Sequence, residues 1–125
     1  MATNRKMYYE EYKEFLQGYK TGLPTNAELV GELIGRLSSD YCDYNLQLVE
    51  ANRQLFMVAG DIEARTDDNG KAISSAKAQS FVNATDQNFK AMELKAHLSN
   101  LEVFMSALRS LQKGILNEYS YQGNN

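Results

Sequence analysis

Residues 30–62 read VGELIGRLSSDYCDYNLQLVEANRQLFMVAGDI. Within them Val30, Ile34, Leu37, Tyr41, Tyr44, Leu48, Ala51, Leu55, Val58 and Ile62 follow at intervals of 4, 3, 4, 3, 4, 3, 4, 3 and 4. That is an unbroken seven-residue repeat, which draws one apolar stripe along an α-helix. A straight helix drifts by about 20° per heptad against such a stripe, so holding it on one partner asks for a left-handed supercoil. At about 1.5 Å per residue the segment spans roughly 50 Å. A helix of that length buries little against itself, so a second long helix must lie alongside.

The second helix is legible after Asp86. Leu94, His97, Leu101, Phe104, Leu108, Leu111 and Ile115 repeat the 3, 4 alternation, and Ala91, Leu98 and Met105 form another track beside them. Two tracks make a face wide enough for more than one neighbour, as in a bundle. The cover is either the N-terminal segment or another subunit. That segment sets Tyr8, Tyr12, Phe15 and Tyr19 at spacings of 4, 3 and 4, four aromatics on one side of a short helix.

The boundaries have their own signals. Gly18, Gly22 and Pro24 stop the first helix, and Thr25-Asn26-Ala27-Glu28 has the form of a capping box, with Thr25 as the cap. A short amphipathic stretch lies at 74–82, and Thr85 or Asp86 caps the last helix. The expected order is a helix over 7–20, a long helix over 26–66, a short one over 74–82, a long one over 86–117 and a frayed tail over 118–125, where Tyr119 and Tyr121 are candidates for docking. The fold class is therefore all-α: a long antiparallel, coiled-coil-like hairpin with a short N-terminal helix, completed as a bundle by oligomerisation.

With 125 residues the chain makes one domain. No apolar run reaches the ~18 residues of a membrane span, and MATNRKMYYEEYKEF lacks the apolar centre of a signal peptide, so the expected compartment is the cytoplasm. Cys42 is the lone cysteine and His97 the lone histidine, which excludes an internal disulfide and any Cys- or His-rich metal site; Cys42 is expected to be a buried or half-buried thiol. Net charge is −3, but residues 7–70 hold twelve acids against five bases while residues 71–113 hold three against six. Opposite charge on two segments favours pairing between them, and is no nucleic-acid footprint.

RTDDNGKA at 65–72 invites a ligand reading, which fails on spacing. With Gly70 at position 6 of a calcium loop, positions 1 and 12 fall on Arg65 and Ala76, neither of them a side-chain oxygen ligand. A phosphate loop needs a glycine where Arg65 stands and a hydroxyl where Ala72 stands. What survives is a structural corner, with Asn69-Gly70 taking the left-handed backbone. His97 lies in the apolar stripe with Glu93 four residues earlier, and has no nucleophile placed to work with it. It reads as a seam residue that sets register or bonds the facing helix. No catalytic set, cofactor site or metal site is expected.

The candidate contact residues form two groups. Tyr8, Tyr12, Phe15, Tyr19, Tyr41, Tyr44, Leu48, Leu55, His97, Leu101, Phe104 and Leu108 are expected in the seam or an oligomer interface. Lys71, Lys77, Lys90, Lys95, Arg109 and Lys113 are the cations that nucleic acid or phosphate would use.

LQLVEANRQLFMVAGDIEA (46–64), NGKAISSAKAQ (69–79) and FKAMELKAHLSNLEVFMSALRSLQKGI (89–115) together resemble a group of short phage-encoded helical-hairpin proteins. Such proteins have a long helix, a glycine-lysine corner, a Ser/Ala/Lys-rich stretch and a second, leucine-rich helix. The resemblance implies a phage early protein, encoded near recombination and single-strand-binding functions and working in the host cytoplasm. The expected function is thus a non-enzymatic accessory or binding protein in DNA recombination or replication, homo-oligomeric, acting through a phage or host protein or single-stranded DNA. Two other classes share the pattern: a virion connector or capsid accessory, and a counter-defence factor that binds a host protein or a nucleotide messenger.

Overall fold

The computed structural model describes residues 6–123, with side chains through Glu118. Its helices are α1 (Tyr8–Lys20), α2 (Ala27–Glu63), α3 (Ser75–Asn83) and α4 (Asp86–Gly123), and the fold is all-α. The boundaries follow from identifiable end chemistry. Leu23 N–H donates to the Gly18 carbonyl and Gly22 N–H to the Tyr19 carbonyl, a Schellman ending in which Gly22 takes φ +89°. Gly18 is inside α1 rather than ending it, and its bare Cα lets the Leu23 side chain fold back over the last turn.

At the start of α2 the cap is Asn26, one residue later than the capping box places it. Asn26 Oδ1 accepts from the Leu29 amide at 2.9 Å, whereas the Thr25 hydroxyl is buried without a hydrogen-bond partner. Ser74 Oγ caps α3 through the Lys77 amide, and Thr85 Oγ1 caps α4 through the Asn88 amide. α2 ends three residues before the expected 66, because Arg65 and Thr66 already belong to the corner. α4 runs on to Gly123, so 118–123 are helical where a frayed tail was expected. The side chains of Tyr119 and Tyr121, and residues 124–125 of that tail, lie outside the described residues.

The corner itself is a small hydrogen-bonded device. Asp67 Oδ1 accepts from the amides of Asn69 and Lys71, the Gly70 amide donates to the Asp67 carbonyl, and Thr66 and Ala72 form an isolated antiparallel bridge. Gly70 sits at φ +76°. Gly70→Ala should destabilise the chain by about 1–2 kcal/mol in urea denaturation, because a Cβ strains the left-handed backbone although the surrounding space is open.

The chain divides into two units: Met1–Cys42 with Ser99–Asn125, and Asp43–Leu98. In the first, α2 and α4 run antiparallel. Gln112 Nε2 donates to the Ala27 carbonyl, Ser38 Oγ to Met105 Sδ, and Tyr41 OH to Glu102 Oε1 at 3.0 Å. Val30, Leu33, Leu37, Leu101, Met105 and Leu108 are the buried layer between them. Here α1 provides the cover: Tyr8 is buried with its hydroxyl accepting from Asn100, and Tyr12 stacks on Phe104 at 4.1 Å.

In the second unit the pairing is again antiparallel. Tyr44 stacks on His97 with centroids 4.7 Å apart, and Ala51, Ala91 and Leu94 form a core cluster flanked by Leu48 and Leu55. α3 closes the end of this unit, setting Ala78 and Val82 against Ile62 with Val58 and Ile73 around them.

Candidate interaction site

Of the twelve aromatic, aliphatic and histidine positions expected in a seam or an oligomer contact, eleven are at least half-buried within one chain. Tyr8, Leu101 and Leu108 are buried; Tyr12, Phe15, Tyr41, Tyr44, Leu48, Leu55, His97 and Phe104 are half-buried. Tyr19 is the exception, exposed at the last turn of α1, where it borders a cleft of about 500 Å³ with Phe15, Leu29, Leu33, Glu32 and Arg36. His97 behaves as a seam histidine, its ring lying on Tyr44 and its Nε2 at 3.8 Å from Glu93 Oε1.

Lys71, Lys77, Lys90, Lys95, Arg109 and Lys113 are all exposed. In the Asp43–Leu98 unit two of these lysines stand among carboxylates. Lys90 shares a hollow of about 440 Å³ with Glu50 and Asp86, floored by Ala51, and Lys77 shares one of about 280 Å³ with Asp67 and Asp68. Carboxylates beside these lysines offset part of their attraction for a phosphate backbone. Lys77 Nζ instead lies 5.9 Å from the centre of the Phe81 ring.

Two electrostatic features stand out on the helix surfaces. Arg53 holds Glu50 with two donors at 3.0 and 2.9 Å, and Gln54 adds a third hydrogen bond. The fork from Arg53, then the Gln54 amide, pulls the Glu50 carboxyl down to about 2, so it stays ionised at any working pH. The Glu102 carboxylate that accepts from Tyr41 raises that phenol above its usual range. Among the described residues no group of three His, Cys, Asp or Glu side chains gathers at metal-binding distance, and no helix is long and apolar enough to cross a membrane.

The surface that sequence reading missed lies on the outward sides of the long helices. Leu46, Val49, Phe56 and Met57 on α2, and Phe89, Met92 and Val103 on α4, are large apolar side chains exposed to water. Cys42 is exposed too, contrary to the expected burial, because it stands on the α2 face turned from the seam. A signal was present: 46, 49, 53 and 56 keep the 3, 4, 3 spacing, but Arg53 in the series hides it from a count of apolar residues.

Fold and surface together define an all-α helical protein whose two long helices each carry large apolar side chains exposed to water. Comparison with protein-family models, with curated proteins and with solved structures finds no match to this chain.

Proposed function

We propose that this chain is a non-catalytic helical binding protein of the phage accessory type, which presents outward apolar helix faces to protein partners. The observation that carries the reading is the set of large apolar side chains exposed on α2 and α4 outside the seam. Single exposed apolar residues are ordinary, but several on one helix face mark an interaction surface. Single-stranded DNA is the weaker ligand on this reading, because Lys90 and Lys77 stand beside carboxylates. The resemblance of the hairpin pattern supports phage DNA recombination or replication as the setting.

The test has two arms. Labelled single-stranded DNA, titrated with the full chain at moderate salt, should bind no tighter than the ~10⁻⁴–10⁻⁶ M range of non-specific association. Cross-linking of the full chain in the cells that produce it, read by mass spectrometry, should place another protein against Phe89 and Met92. DNA binding well inside the micromolar range with a steep salt dependence, or cross-links confined to the seam residues, would overturn the reading.

A further inference from the structure

On α2, positions 46, 49, 53, 56 and 60 follow at intervals of 3, 4, 3 and 4 and carry Leu, Val, Arg, Phe and Gly. At 3.6 residues per turn they form a second heptad track, on roughly the opposite side of the helix from the seam. All five belong to the Asp43–Leu98 unit. Phe56, Leu46 and Val49 are 80%, 71% and 64% exposed, and a Cβ built on Gly60 meets nothing within 4 Å. With Met57 beside it the track offers on the order of 500 Å² of apolar surface, most of the ~800 Å² that each partner brings to a standard interface.

Charge decides what covers it. Over residues 43–63 the acids are Asp43, Glu50, Asp61 and Glu63, and Arg53 is the single base. A parallel pair of such helices sets Arg53 against Arg53 on the track itself, with no carboxylate between them. Run antiparallel about a centre near residue 51, the same track becomes self-complementary. Leu46 then meets Phe56 of a second copy, Val49 meets the aliphatic stem of its Arg53, and each Arg53 guanidinium comes within reach of the other copy's Glu50. Self-complementarity of this kind is what a two-fold interface requires.

We propose that the outward track of α2 is the interface of an antiparallel, two-fold symmetric homodimer, centred near residue 51 and charge-matched by Glu50 and Arg53. This rests on the binding-protein reading and names the partner of its α2 face. The Glu50–Arg53 pair, now closed within one helix at 2.9 Å, becomes a four-membered network across the axis.

Sedimentation equilibrium of the purified full chain should give twice the 14.1 kDa chain mass at micromolar concentration. Phe56→Glu should weaken the dimer by about tenfold or more, as loss of a large aromatic anchor does, with the far-UV circular dichroism unchanged because Phe56 is solvent-exposed in a single chain. Arg53→Glu should also weaken it, and Glu50→Arg combined with Arg53→Glu should restore it, since exchanging the two charges preserves an antiparallel match. A monomer at all concentrations, a dimer indifferent to Phe56→Glu, or a double exchange that fails to rescue would each overturn the proposal. A monomer that still cross-links to another protein through Phe89 and Met92 overturns the dimer alone. A monomer that gives no such cross-link overturns the binding-protein reading with it.

Discussion

Leu101→Ala should cost about 2–5 kcal/mol, whereas Val103→Ala two residues along the same helix should cost less than about 0.5 kcal/mol, both read from the midpoint of urea denaturation. Leu101 is 0% exposed in the layer between α2 and α4, and truncating it loses the transfer free energy of its methyl and methylene groups and leaves a cavity that rigid helices cannot collapse around. Val103 is 64% exposed and has little burial to lose. The contrast matters more than either value. Set against the ~5–15 kcal/mol total stability of a typical domain, the first substitution removes a large fraction and the second almost none. Equal effects at the two positions would mean that α4 is rotated about its axis relative to the seam described above.

The second large effect concerns backbone continuity. Asn52 is exposed in the middle of α2, so replacing it disturbs no core packing. Asn52→Pro should nonetheless destabilise the chain by about 3 kcal/mol or more, because proline removes the hydrogen bond to the Leu48 carbonyl and its ring clashes with that carbonyl. Asn52→Ala at the same place should be neutral or stabilise by about 0.5 kcal/mol, since alanine is the better helix former. Thermal or urea unfolding of the three proteins separates these outcomes. A proline tolerated at 52 would mean that α2 is broken there.

The heptad intervals account for what the sequence revealed of the fold. All ten stripe positions from Val30 to Ile62, and the ten on the two α4 tracks, are buried or half-buried. Such a pattern is readable because a helix repeats its environment every seven residues, so one burial direction writes itself many times over. The features that stayed hidden are those written only once. The choice between Thr25 and Asn26 as the cap turns on a single side-chain rotamer, and either residue type suits the role. The extension of α4 to Gly123 passes through NEYSYQ, which carries no stripe to declare it.

Contact roles were harder still. Aromatics in the first helix were expected to share one covered face, and Tyr8 and Tyr12 do, against Asn100 and Phe104. Tyr19 stands beyond that contact and remains in water. The outward track of α2 escaped because it runs through Arg53 and ends on Gly60, residues that a search for apolar periodicity passes over. In the dimer proposed above Arg53 contributes charge toward a second copy, and a single chain's apolar pattern does not carry that information.

The most direct test of the antiparallel seam is a methyl-detected NOE spectrum of the full chain. Ala51 should show cross-peaks to Ala91 and Leu94, with which it shares a core cluster. Absence of those cross-peaks, with Ala51 correlated instead to methyls far along α4 such as Leu108, would contradict the pairing on which the rest stands.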